Sequence, residues 1–155
     1  MGKFQKKRGK STPEVSTASL PDIIFMLLFF FMVVTVLRDS ELKVTNNVPY
    51  ATELTKLEKK SLVNYLYIGK PVKKWQSQYG TKPALQLGDK FADISDIPLF
   101  LEKHRSTVSE GQRPGINSSL RVDGDVTMGF VTDVKTKLRK SGQLKVNYSA
   151  KKRPE

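Results

Sequence analysis

The sequence predicts an α+β protein: one N-terminal transmembrane helix, then a small domain with two helices packed on one face of a mixed β-sheet. Three observations carry that prediction. A single apolar run, Thr17 to Leu37, has membrane length at 21 residues. Beyond it, stretches rich in β-branched, aromatic and alternating apolar residues mark strands at both ends of the remaining chain. Between those ends, two stretches carry apolar residues at helical spacing.

The apolar run comes first. At about 1.5 Å per residue a helix of that length reaches roughly 31 Å, against a bilayer core of about 30 Å. No small-x-small cleavage site follows before Arg38 and Asp39, so the run reads as an uncleaved signal anchor crossing once. Lys3, Lys6, Lys7, Arg8 and Lys10 precede it, against Glu14 alone, while Arg38, Asp39, Glu41 and Lys43 after it are balanced. The positive-inside rule then places the N-terminus in the cytoplasm and the rest beyond the membrane, the periplasm in a Gram-negative bacterium. The expected divisions are a basic cytoplasmic tail (1–16), the transmembrane helix (17–38), a periplasmic linker (39–60), a periplasmic α+β domain (61–150) and a basic tail (151–155).

The linker carries Asn46-Asn47, Pro49 and a charged run, 53–60, with some helical character. Ser61–Ile68 is strand-like, and Ala84–Leu87 is a second strand, followed by a Gly88-Asp89-Lys90 turn and Phe91–Ile94. Gly69–Pro83 between them reads as a long loop with Trp75, Tyr79 and four lysines. A helix follows, capped by Ser95 or Asp96 with Pro98 in its first turn. It places Ile97, Phe100, Leu101, His104 and Val108 on one face. Ser118–Asp123 is a strand with Leu120 and Val122 inward and Arg121 and Asp123 outward. Thr127 caps a second helix with the stripe Phe130, Val131, Val134 and Leu138, and Gly142 suits its end. Gln143–Ser149 closes as a half-buried strand with Leu144, Val146 and Tyr148 alternating.

Composition narrows the function. The 155 residues include no cysteine and one histidine, which leaves no disulfide, no thiolate metal site and little basis for a histidine one. His104 reads as a half-buried core residue. No Gly-rich phosphate loop and no Ser/His/Asp set points to an enzyme or a cofactor. The net charge of +12 would suggest nucleic acid inside a cell. Beyond a membrane the candidate partners become anionic lipid headgroups, an acidic protein or an acidic cell-wall polymer; a basic surface with no partner stands beside them.

Asp22, inside the apolar run, is the most informative residue. A carboxylate there costs roughly 2.5–3.5 kcal/mol at a helix centre and less near an end. Two readings stand. Ser19-Leu-Pro-Asp22 fits a capping box, in which Asp22 merely starts the helix near the headgroups. Alternatively the helix begins near Ser16 or Thr17, Asp22 lies roughly 7 Å inside at about 1.5 Å per residue, and it carries protons. Phe25, Met26, Phe29, Val33 and Val36 share its face at three- and four-residue spacing, as a packing stripe or as plain membrane-buried surface.

Ser16-Thr-Ala-Ser-Leu-Pro-Asp22 and the run after it, through Phe31-Met-Val-Val-Thr35, resemble the transmembrane segment of the ExbD/TolR family. Leu120-Arg-Val-Asp-Gly-Asp-Val126, the helix after it and Ser141-Gly-Gln-Leu-Lys-Val146 look like that family's closing strand–helix–strand. Asn47-Val48-Pro49 resembles the Asn-Leu-Pro found just beyond the membrane in ExbD, with Val48 the departure; Gly69–Pro83 looks like an insertion. The resemblance implies a non-enzymatic subunit of an inner-membrane, proton-driven motor. Two copies of the helix would sit within a ring of a polytopic ExbB-like partner, with Asp22 the proton carrier. The stripe would contact the ring or the second copy. Asn47, Val48 and Pro49 would meet a TonB-like protein that energises outer-membrane transport. In a TolR-like role the output would be envelope integrity and contact with peptidoglycan. A passive tethered binding module is the competing class. A flagellar MotB-like stator subunit fits less well, because residues 61–150 are short and wrongly patterned for its peptidoglycan domain, and nucleic-acid binding fits least.

Overall fold

The computed structural model describes residues 2, 9, 17, 19–36, 41–57 and 59–154. The chain forms two compact units, residues 1–39 and 40–155. The charges that set the predicted orientation before the helix, with Ser16, Ala18, Leu37, Arg38 and Asp39, lie outside the described residues.

The first unit holds α1 (Ser19–Val36), 18 residues with Asp22 in the first turn. At about 1.5 Å per residue α1 spans roughly 27 Å. Among the described residues no helix is long and apolar enough to cross a membrane.

The second unit is the predicted α+β arrangement. Its five-stranded sheet has the order β4-β3-β2-β5-β6, formed by β2 (Val63–Gly69), β3 (Ala84–Leu87), β4 (Lys90–Ala92), β5 (Asn117–Val122) and β6 (Val146–Tyr148). β2 pairs antiparallel with β3 and parallel with β5, and β6 runs parallel to β5. Strand alternation then divides the side chains between two faces. Leu66, Ile68, Leu85, Leu87 and Leu120 form one core with Ile97 and Leu101 of α3 (Ile97–Thr107) and Val134 and Leu138 of α4 (Met128–Lys140). Tyr65, Tyr67, Gln86, Ser119 and Arg121 alternate with those residues and face the other way.

Local chemistry explains the boundaries. Three residues in a 3-10 turn, Ile94–Asp96, lead into α3, and the Asp96 carboxylate accepts from the Asp93 N–H at 2.9 Å. Asp96 therefore reaches back before the turn instead of capping α3 forward, while Pro98 occupies the first turn of α3 as expected. Gly142, at φ +78°, ends α4. Its neighbour Gln143 is buried and donates from its side-chain amide to Ile116 O at 2.9 Å and Lys145 O at 3.0 Å. Those bonds hold the chain out of the ladder until Val146, so β6 is shorter than the predicted Gln143–Ser149 strand and Leu144 is 78% exposed.

Three segments differ from the sequence reading. Gly69–Pro83 contains a helix, α2 (Lys73–Tyr79). Residues 53–57 are irregular rather than helical, and Glu58 lies outside the described residues. Most of 41–51, expected as linker, is built into the domain. Val44 is 1% exposed and bridges to Pro71. β1 (Tyr50–Ala51) pairs in parallel with β7 (Lys151–Lys152), so the basic tail is part of the fold.

Gly69 shows how closely the 41–47 segment lies on the sheet: a Cβ there would overlap the Thr45 carbonyl oxygen. Gly69→Ala should destabilise the domain by about 1–3 kcal/mol through overpacking. Urea unfolding followed by the fluorescence of Trp75, the single tryptophan, measures this.

His104 lies half-buried on α3, with Nδ1 buried and without a partner. Desolvation lowers its pKa below 6.5, against the opposing effect of a hydrogen bond with the Ser61 backbone. The folded state therefore favours neutral imidazole. Its contribution is complete above pH 6.5 and is lost as pH falls below that value through the lowered pKa. NMR titration of this single histidine should give a midpoint below 6.5, and His104→Gln should flatten the stability loss on acidification.

Candidate functional site

Asp22 is the fourth residue of α1, which starts at Ser19. That places it about 4.5 Å from the first helical residue at about 1.5 Å per residue, shallower than the roughly 7 Å expected of a helix starting near Thr17. Thr17 is in a turn. The side chains of Phe25, Met26, Phe29 and Val33 are 73%, 68%, 62% and 38% exposed in the single chain. The helix backbone extends through Val36. Leu20, Ile23, Ile24, Leu27, Leu28 and Phe30 are exposed as well, so α1 is apolar around its whole circumference. A helix of that kind needs an apolar surround.

The 41–47 segment is a strap across the face of the sheet that carries Gln86. The fully buried Gln86 amide does most of the fastening. Its Oε1 accepts from the Lys43 N–H at 2.8 Å, and its Nε2 donates to Glu41 O at 3.0 Å and Gly88 O at 2.8 Å. Backbone bonds add Thr45 N to Lys70 O at 2.8 Å and Val72 N to Lys43 O at 2.9 Å. Asp123 lies just past the end of β5 and is buried instead of facing outward as the strand pattern predicts, because its carboxylate accepts from the Thr45 hydroxyl of the strap.

Asn47, Val48 and Pro49 continue this path toward the C-terminal tail. Asn47 O accepts from Gly124 N at 3.1 Å, and Pro49 O accepts from Lys151 N at 2.9 Å. Their backbone is thus engaged by the domain, while Asn47 and Pro49 stay exposed. Val48 lines a groove of about 930 Å³ shared with Asn46, Tyr65, Ser119, Arg121 and Lys151.

The groove holds residues that sequence reasoning missed. The Arg121 guanidinium lies 4.7 Å from the Tyr65 ring centre and 5.5 Å from that of Tyr67. Strand register brings them together, with Tyr65 opposite Ser119 and Tyr67 opposite Arg121. Arg121 Nε and Asn46 Oδ1 are buried without a partner. Lys56, Lys60 and Lys151 add positive charge, against Glu53. Ser119 and Ser149 join hydroxyls at 2.8 Å. A cationic wall with hydroxyl and amide groups suits a polar, anionic ligand. The alternating Tyr65/Tyr67 pair was the visible signal, but its pairing with Arg121 depends on a parallel register between strands more than 50 residues apart.

Asp22 and the groove belong to separate compact units. No curated protein and no solved structure matches the chain. One family model does, described as Biopolymer transport protein ExbD/TolR, and it covers residues 8–153, which takes in both α1 and the domain. The chain belongs to the ExbD/TolR family.

Proposed function

We propose that this chain is an ExbD-like subunit of a proton-driven motor of the bacterial inner membrane. In this reading α1 crosses the membrane once, completed by the apolar residues that flank it in sequence, with the N-terminus cytoplasmic and residues 40–155 periplasmic. Its working partners are a polytopic ExbB-like protein, a second copy of the chain and a TonB-like protein. The carrying observation is Asp22, the single charged residue of α1, on a helix whose described side chains are otherwise almost all apolar and exposed, within a chain of this family.

The physics fits a two-position device. A neutral Asp22 can face apolar surface, while an ionised one requires a hydroxyl, a water or a cation. Alternation between the two lets proton passage bias helix position. Each proton brings roughly 2.3 kcal/mol per 100 mV of membrane potential. Phe25, Met26, Phe29, Val33 and Val36 supply the apolar surface that moves against the ring or the second copy. The first-turn position of Asp22 is compatible with this, because a capping carboxylate within a protein-lined cavity can also exchange protons. Asn47, Val48 and Pro49 are the proposed contact with the TonB-like protein.

Asp22→Asn keeps the size of the side chain and removes its titration. It should abolish proton-motive-force-dependent uptake of an outer-membrane transporter substrate while leaving co-purification with the ExbB-like partner intact. Unchanged uptake with an intact complex would reduce Asp22 to a helix cap and sink the motor reading.

The groove at Arg121 favours a second reading, a TolR-like subunit or a tether whose far domain holds peptidoglycan. Peptidoglycan carries peptide carboxylates that suit an unpaired guanidinium. Under that reading Arg121→Gln lowers co-sedimentation with isolated sacculi at least tenfold, about the 1.5–3 kcal/mol of a hydrogen bond to a charged group. Equal sedimentation of the two proteins would remove the groove from such a role.

A further inference from the structure

Beside the strap lies a surface that neither Asp22 nor the groove uses. Residues 70–82 contain Lys70, Lys73, Lys74 and Lys82 and no acidic residue, and all four lysines are exposed. Lys43 of the strap joins them. Its ammonium is 4.9 Å from the Trp75 ring centre, and that of Lys74 is 5.3 Å away. Trp75 packs edge-on to Tyr79 and Phe91, each at 6.3 Å, while Tyr79 and Phe91 stack at 4.2 Å. Tyr79 is 49% exposed and the apolar Leu42 41% exposed. Glu41 contacts Lys74 at 3.3 Å, but both are well exposed, and such a pair is weak. Lysines interleaved with half-exposed aromatic rings are the composition of a membrane–water interface, where rings sit among headgroups and ammonium groups reach phosphates.

Covalent length favours the same partner. Seven residue-to-residue steps separate the end of α1 at Val36 from Lys43. At about 3.3–3.6 Å each they allow at most about 25 Å, whatever course residues 37–42 take. If α1 is a membrane anchor, the Lys43–Trp75 patch cannot move farther than that from the helix end. An acidic protein or cell-wall polymer would have to be recruited, whereas the lipid surface is supplied by the tether at high effective concentration.

We propose that α2 and Lys43 form a docking face for anionic phospholipid headgroups of the membrane that α1 anchors. This rests on the proposal that α1 spans the bilayer. Docking is electrostatic at its outset and is weakened by salt. Each lysine contributes about fivefold to the docking equilibrium.

The test uses the full chain in lipid nanodiscs, with Trp75 as the single tryptophan reporter. Discs of phosphatidylcholine are compared with discs containing phosphatidylglycerol, both carrying a headgroup-nitroxide lipid that quenches tryptophan at headgroup depth. Quenching should be stronger in the phosphatidylglycerol discs. It should fall to the phosphatidylcholine level in high salt and in the exposed-lysine variant Lys70→Gln/Lys73→Gln/Lys74→Gln/Lys82→Gln. Incorporation with equal quenching in both discs, or with no effect of the four substitutions, overturns the docking face alone. If soluble polyglutamate shifts Trp75 emission where phosphatidylglycerol does not, the face takes an acidic polypeptide and lipid docking is likewise overturned. A chain that enters neither kind of disc overturns the anchor, and tethered docking with it.

Discussion

The domain depends on how the 41–47 strap is fastened to the sheet. Gln86 sits in β3, fully buried, on the face opposite the helices. An amide placed there without partners would be costly, so its three hydrogen bonds to the strap and the following turn keep that face closed. Gly69 lets the strap approach, and Asp123 accepts the Thr45 hydroxyl beyond it. Without these contacts Val44 would lose its burial and the Lys43–Trp75 contact would have nothing to hold it. The strap also lies between α1 and the domain in sequence. In the proposed motor, any pull along the chain from α1 reaches the sheet first at Glu41 and Lys43, through Gln86, rather than at slack linker.

The two units meet opposite physical demands. α1 is apolar on every side and is satisfied only by an apolar surround. The domain buries its own core and presents charge: lysines at α2, and an arginine with lysines at the groove. Such a division suits a chain that works partly in lipid and partly in water. The charged groups of the domain are then free to act on polar partners, while the single carboxyl of α1 stands out against its apolar neighbours.

Much of this was legible in the sequence. The stripes Ile97/Leu101 and Val131/Val134/Leu138 gave α3 and α4, Ala84–Leu87 appeared as the strand it is, and Asp22 was visible as the one charge in its helix. What escaped notice depended on distant residues. α2 is seven residues long and buries no side chain fully; Trp75 and Tyr79 are held by Phe91, a stacking partner from β4. β1 and β7 are two residues each, too short for any periodicity to register, and pair across a hundred positions. Asn47-Val48-Pro49 stood out by resemblance, but the fixing of its backbone by Gly124 and Lys151 could not be read from a turn-rich composition. Leu144 fitted an alternating pattern that the buried Gln143 amide interrupts. The depth of Asp22 depended on where the helix begins, and a helix start is among the least certain features of a sequence.

The pairing of Tyr50–Ala51 with Lys151–Lys152 also sets an order of assembly. Tyr50–Ala51 are among the first parts of the domain to be synthesised, and Lys151–Lys152 come about a hundred residues later. Contacts this far apart in sequence form slowly, because the loop between them must be closed before they stabilise anything. The strap must likewise wait for Asp123, and the central β2 for β5. A nascent chain carrying α1 and residues 41–69 therefore has no finished surface on which to lay the strap. In the proposed topology, with the domain crossing from its α1 side, it would stay an open, threadable polymer until Lys151–Lys152 had crossed, and would then close in one late step.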